Sequence, residues 1–200
     1  MNNKRFRRWR CVFANMLYRR ADEPLKQTVN SDIDRYLSLN GVSQSGRKKI
    51  ALLDELLLSE ETTTFRNVFY YRFQGKKRLC LLSGLVFPSV KGIEIYGSIG
   101  AGLFLHHHYM VLHPQRAGRS LRVDAGAVIG TNKGQFPIIG DNVTIGANAT
   151  VIGGISIGDN VVIEPGSVVT KDLESNAVYG GNPAVFKRKI NESPGPDQSE

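Results

Sequence analysis

Six aliphatic residues, Ile139, Ile145, Val151, Ile157, Ile163 and Val169, stand six positions apart without a slip, and glycine follows directly in Ile139-Gly140, Ile145-Gly146 and Ile157-Gly158. A period of six matches neither the 3.6 of a helix nor the 2 of a plain strand. It fits a chain that makes a short strand, turns a corner and repeats, three strands to a coil. The aliphatic side chain then fills the interior, and Gly, Asn or Asp takes the turn. The reading is a parallel β-helix of hexapeptide repeats. Upstream, Ile99, Leu105 and Val111 hold the period, whereas residues 114–120 and 131–137 break it and are expected to leave the coil as loops. The span from Ile93 to Val169 has room for about four coils at about 18 residues each.

Composition places the boundary of this region. Sixteen of the 21 glycines fall between Gly92 and Gly181, so the coil domain is expected over residues 92–186, with a polar tail over 187–200. Residues 21–91 read instead as a helical N-terminal domain. Ser31 can cap a segment carrying Ile33, Tyr36 and Leu37 on one face and closed by Gly41. Ser45 precedes Ile50, Leu53, Leu56 and Leu57 at the helical period, and Thr64 can cap Phe65 to Phe73. The longest apolar run, Leu79 to Phe87, is interrupted by Ser83 and Gly84 and stops at Pro88. That is well short of the roughly 20 residues a spanning helix needs.

The net charge of +8 is local. Residues 1–20 hold seven bases and no acid, which leaves +1 for the other 180 residues, so the charge does not point to a nucleic-acid partner. Phe6, Trp9, Phe13 and Met16 or Leu17 recur at helical spacing in this basic amphipathic arm. It reads either as a terminal helix packed on the body or as a contact of residues 4–20 with an anionic membrane surface. Cys11 and Cys80 are too few for a disulfide framework and lack metal-ligand spacing, which fits two thiols in a reducing compartment. A cytoplasmic protein, peripheral to the inner face of the membrane if the arm makes that contact, is expected.

Gly97 to Gly102 is glycine-rich, but its spacing is not the dinucleotide fingerprint and the repeat accounts for its glycines. More telling, all four histidines, His106, His107, His108 and His113, fall in eight residues. With Leu105 inward, His106 points outward and His107 and His108 take the corner. Imidazole titrates near neutrality and is the usual general base for an alcohol. Three readings stand: a catalytic base, a metal site, and polar corner residues without chemistry. Adjacent histidines on a tight turn diverge and offer a metal about two ligands, with no thiolate or acid at matching spacing.

Residues 93–186 resemble the hexapeptide-repeat acyltransferases, and among them the serine acetyltransferase-like branch. The matching text is Ile99-Gly-Ala-Gly-Leu-Phe-Leu-His-His107, Ala127-Val-Ile-Gly130, Pro137-Ile-Ile-Gly-Asp-Asn-Val143, Ile145-Gly-Ala-Asn-Ala149 and Gly181-Asn-Pro-Ala184. The resemblance implies a left-handed coil after helices, with acetyl-CoA as co-substrate and no metal. It places the branch's catalytic histidine on His107 and its acidic partner on Glu94. It also implies coenzyme contacts from turns along one edge: Thr131, Ala147, Pro165 and the Asn182-Pro183 segment. The pattern departs at the acceptor. His106 replaces an aspartate that helps bind the amino acid, and Phe136 stands where a substrate-binding histidine would be; His106, His108 and Phe136 are the expected substrate-binding residues.

These departures lead to an acetyl-CoA-dependent O-acetyltransferase whose acceptor is a sugar hydroxyl of a cell-surface polysaccharide or glycolipid. The alternatives are a serine O-acetyltransferase of cysteine biosynthesis and a noncatalytic β-helix assembly subunit. The residues preceding the inward aliphatics, Ile138, Thr144, Thr150, Ser156, Val162 and Val168, should face out, and half are apolar. A homotrimer is therefore expected, with a dimer of trimers through the helical domain as its extension.

Overall fold

The structure, a computed structural model, describes residues 9–190. Among the described residues five helices precede a mainly β body: α1 (Val12–Arg19), α2 (Glu23–Leu39), α3 (Lys49–Leu58), α4 (Thr64–Arg72) and α5 (Lys77–Val86). The body is the expected β-helix, in three parallel sheets. The first holds β1 (Ile93–Ile95), β4 (Met110–Leu112), β7 (Val128–Gly130), β10 (Thr150–Ile152) and β13 (Val168–Val169). The second holds β2 (Ser98–Ile99), β5 (Arg116–Ala117), β8 (Ile138–Ile139) and β11 (Ser156–Ile157). In the third, β3 (Phe104–His106), β6 (Arg122–Asp124), β9 (Thr144–Ile145), β12 (Val161–Ile163) and β14 (Ala177–Gly180) are followed by β15 (Val185–Lys189), which folds back antiparallel on β14. The coil makes about five turns rather than four, because Leu173 and Tyr179 extend it in steps of sixteen residues, opposite Ile157 and Ile163.

All six hexad aliphatics are buried. The corners carry what a tight stacked turn requires. Asn142, Asn160 and Asn176 sit at φ +57°, +55° and +61°, where a short amide is better tolerated than other side chains. Their amides form a ladder, Asn142 Nδ2 to Asn160 Oδ1 at 3.1 Å and Asn160 Nδ2 to Asn176 Oδ1 at 2.8 Å. At another corner Gly100 passes so close to the coil above that a Cβ would lie 2.6 Å from the Gly118 carbonyl oxygen.

Two expectations about the coil are corrected. Met110 and Leu112 are buried and Val111 faces out half-buried, so the strand is one residue out of register with the hexad. A strand alternates sides with period 2, so that slip exchanges the faces. Residues 114–120 do not leave the coil either: they contain β5, whose Ala117 is buried and pairs with Ile99 and Ile139. The excursion at 131–137 is real. Ala117 and Ile139 are register partners 22 residues apart, where Ile139 and Ile157 are 18 apart, and the extra residues form a turn closed by a bridge between Asn132 and Gln135.

The helix boundaries also shift. α2 starts at Glu23, capped by Asp22 accepting from the Leu25 N–H at 3.0 Å; Ser31 lies inside it and bonds back to the Gln27 carbonyl. α3 starts at Lys49 with no side-chain cap, and Thr64 does not cap α4 but reaches the coil. In the basic arm Phe6 lies outside the described residues and Trp9 is exposed; the buried face of the arm is Cys11, Ala14 and Leu17, packed beside α5. The tail boundary is corrected too, because β15 runs through Lys189; residues 191–200 lie outside the described residues. Cys11 is buried, and Cys80 is half-buried with its Sγ 3.2 Å from the Phe73 carbonyl. No described helix is long and apolar enough to cross a membrane.

Helices and coil meet at the first turn. There β2 and β3 are edge strands, and edge strands leave backbone groups unpaired. Side chains of the helices take the place of the missing strand. The Tyr71 hydroxyl accepts from the Ile99 N–H at 3.0 Å and donates to the Gly97 carbonyl at 2.9 Å. The Tyr36 hydroxyl accepts from the Leu105 N–H at 3.1 Å, and Thr64 Oγ1 donates to the Leu105 carbonyl at 2.7 Å. Between them, Asp32 accepts from the N–H groups of Gly102 and Leu103 at 2.8 and 2.9 Å and from Arg72 at 2.8 and 3.0 Å. Arg72 donates onward to the carbonyls of Ile99 and Gly100. Burial pushes the Asp32 carboxyl up, and Arg72 and the two N–H groups pull it back.

Candidate active site

The helix-held strand β3 ends in the histidines. Leu105 is buried, His106 points outward half-buried, and His107 and His108 are exposed at the corner, with His107 at φ +69°. The rings of His106 and His107 are 4.0 Å apart, and His106 stacks on Phe104 at 6.0 Å. The carboxylate that reaches the cluster is Asp124, the register partner of His106 on β6, with Oδ1 3.5 Å from His106 Nδ1. Arg122 Nε holds the same oxygen at 3.0 Å. Burial and the neighbouring His107 hold the His106 pKa below the ordinary imidazole value, although Asp124 pulls the other way.

Glu94 stands exposed on β1 opposite Val111. Among the described residues no hydrogen bond or ion pair joins it to a histidine, so the acid beside the imidazoles within one chain is Asp124.

The histidines open into a cleft of about 360 Å³ between helices and coil, lined also by Asn40, Glu60, Glu61, Thr63 and Phe104. The two glutamates come from the turn between α3 and α4. Sequence reasoning missed them, along with Asp32, Tyr36, Thr64, Arg72 and Asp124, because each acts by meeting a distant segment. One signal was available: Asp32 and Tyr36 share a helix face with Val29, Ile33 and Leu37, where an unpaired carboxylate would be costly.

The proposed coenzyme residues separate into two groups. His107 and His108 follow β3, Ala147 follows β9, Pro165 follows β12, and Asn182-Pro183, a cis peptide, follows β14. These are successive passages of one corner, laced by backbone bonds from Gly126 N–H to the His108 carbonyl, Asn148 N–H to the Ala125 carbonyl, and Gly166 N–H to the Ala147 carbonyl. With strands about 4.8 Å apart, three coil steps put Pro165 roughly 14 Å along the edge from the histidines. Thr131 follows β7 and so stands at a different corner from the others within one chain. Phe136 is likewise not brought to the histidine cluster within one chain. Its ring lies 4.3 Å from His113, which lies 4.9 Å from Tyr96, and it lines a separate cleft of about 440 Å³ with Gln115, Gln135 and Ile138.

Residues 136–171 match the family model for the bacterial transferase hexapeptide (six repeats). The chain is 35% identical over 181 residues to serine acetyltransferase 4 of Arabidopsis thaliana, covering 86% of this chain and 50% of that one. It is 50% identical over 58 residues to the galactoside O-acetyltransferase of Escherichia coli (strain K12), covering 28% of this chain and 29% of the other. The crystal structure of the Neisseria gonorrhoeae serine acetyltransferase in complex with serine superposes with a TM-score of 0.60 at 26% identity, over 84% of this chain and 70% of that one. The chain spans about half the length of the curated relatives it matches.

Proposed function

We propose that this chain, which belongs to the hexapeptide-repeat acyltransferases in their serine acetyltransferase-like branch, is an acetyl-CoA-dependent O-acetyltransferase. The observation that carries the reading is the shared corner, where an edge marked by Ala147, Pro165 and Asn182-Pro183 leads to His107 and the cleft beside it. An elongated thioester laid along that edge would present its acetyl carbonyl to an acceptor in the cleft. His107 takes the proton from the acceptor hydroxyl as the oxygen attacks the carbonyl carbon. The carbon–oxygen bond forms, the carbon–sulfur bond breaks, and the departing coenzyme A thiolate receives the proton back from the imidazolium. Holding both reactants in place supplies much of the rate.

For the acceptor, L-serine is the better supported reading. The relative with the same helices-then-coil arrangement is described with serine bound, and the carboxylates of Glu60 and Glu61 can meet an ammonium that His106 cannot. They restore a negative charge whose absence had favoured a sugar. The sugar reading keeps one specific support, the galactoside O-acetyltransferase match over the repeats. Phe136 and Glu94 enter this proposal through a neighbouring copy: Ile138, Val162 and Val168 stay half-buried on the coil faces of one chain, which supports a homotrimer whose second cleft wall is another protomer. Thiol release from acetyl-CoA, followed with L-serine and with a panel of hexoses, tests the reading. Serine-dependent release is expected. Release with hexoses alone would transfer the assignment to the sugar reading, and no release with either would leave an assembly subunit.

A further inference from the structure

The charge of this chain is divided more sharply than its arm alone suggests. Residues 1–21 contain seven bases and no acid, and residues 62–93 contain six bases and no acid, so these two segments hold +13 of a total of +8 and everything else sums to −5. The structure packs the described part of the first segment against the second, α1 lying alongside α5. The outer face of α5 is apolar. Leu81 and Leu85 are 68% and 75% exposed, Leu82 is also exposed, and Trp9 beside α1 is 58% exposed. Lys77, Leu81 and Leu85 recur at i, i+4 and i+8, and Arg78 precedes Leu82 by four, so the stripe starts in bases. It ends in one too: Arg10 donates to the Val86 carbonyl at 3.4 Å and its guanidinium lies 5.2 Å from the Phe87 ring centre. The opposite face of α5 is anchored inside, through the buried Ser83, whose Oγ is 3.0 Å from the Tyr70 hydroxyl, and through Phe87.

We propose that the α1–α5 face is a docking surface for an anionic lipid bilayer. Leucines and an indole ringed by bases, with no acid in either segment, are the composition of an interfacial amphipathic surface. Each exposed Lys or Arg near an anionic leaflet adds attraction that salt screens. A second copy of the same face is the poorer occupant, since a two-fold contact would bring two acid-free cationic surfaces together. The proposal is independent of the acetyl acceptor.

Trp9 is the single tryptophan of the chain, so its emission reports this face alone. The full chain, without acetyl-CoA, is titrated with vesicles of 70:30 phosphatidylcholine and phosphatidylglycerol and with pure phosphatidylcholine, at about 0.1 M and 0.5 M salt. A blue shift of Trp9 emission and co-sedimentation at least tenfold stronger with the anionic vesicles, weakened by salt, are expected. Leu81→Asp/Leu85→Asp and Lys77→Glu/Arg78→Glu should each lose this binding at least tenfold while keeping the parental far-ultraviolet spectrum and oligomeric state. Equal affinity for neutral vesicles, or no binding to either, overturns the proposal. So does a Leu81→Asp/Leu85→Asp protein that dissociates into smaller species, which would make the face a contact between copies.

Discussion

Replacing Tyr36 by Phe removes one oxygen from the junction that holds the histidine strand. The ring and its packing against Phe65 and Phe104, at 5.1 and 4.7 Å, are retained. Lost is the acceptor of the Leu105 N–H at 3.1 Å and the 3.1 Å bond between the Tyr36 and Thr64 hydroxyls, whereas Thr64 still donates to the Leu105 carbonyl. Tyr36 and Leu105 are both 1% exposed, so water does not replace the lost partner. A buried donor left without an acceptor costs about 1–3 kcal/mol. Taking about 2 kcal/mol, and about 2–4 °C per kcal/mol for a chain of this size, the melting temperature should fall by about 4–8 °C. Thr64→Val breaks the same network from the other side, and the double variant should fall short of additivity by at least about 0.5 kcal/mol. Activity provides a second readout. Because β3 carries His106 and His107 while the edge proposed for the coenzyme lies on later coils, kcat should fall with KM for acetyl-CoA unchanged. A Tyr36→Phe protein that melts within about 1 °C of the parent would refute the idea that this hydroxyl stands in for the missing strand.

Asp32→Ala buries the Arg72 guanidinium without its carboxylate and strands the N–H groups of Gly102 and Leu103; a loss of about 3–5 kcal/mol in urea unfolding is expected, and a loss below about 1 kcal/mol would remove Asp32 as the strut between helices and coil. At Asn160, Gly keeps the positive φ but gives up both amide bonds, whereas Ala gives up the bonds and adds about 1–2 kcal/mol of left-handed strain; melting temperatures should rank parent, Asn160→Gly, Asn160→Ala, and any other order contradicts the ladder. His106 has a folded pKa below its unfolded value, so the unfolded chain binds more protons and stability is lost as pH falls from about 6.5 toward the folded value. His106→Gln should flatten that slope in melts between about pH 5 and pH 7, and an unchanged slope would assign it elsewhere.

The coil could be read from the sequence because its repeat is enforced residue by residue: an aliphatic that misses the interior is exposed, and a corner without Gly or Asn is strained. The repeat blurred where the residues no longer discriminate. Met110, Val111 and Leu112 are all apolar, so hydrophobicity alone could not say which side of a period-2 strand faced in. The last turn escaped because Leu173 and Tyr179 arrive in steps of sixteen rather than eighteen. Helix starts were misplaced where a plausible cap, Ser31, lay inside a helix already capped by Asp22. His107 could be singled out within the chain, but its surroundings could not, since Asp32, Tyr36, Thr64 and Glu60 are separated from β3 by roughly 40 residues or more and meet it only when helices and coil dock.

In the proposed reaction an imidazole at the corner that ends the first turn of the coil removes a proton from an acceptor hydroxyl. This step is tested most directly by measuring serine-dependent thiol release from acetyl-CoA for the parent chain and for His107→Ala, alongside the melting temperature of each. The account predicts a fall in kcat of roughly 100-fold or more, the usual contribution of a positioned base, with the melting temperature unchanged. A His107→Ala protein that turns over at near the parental rate, with the loss appearing instead in His106→Ala or His108→Ala, would contradict the assignment of His107 as the base.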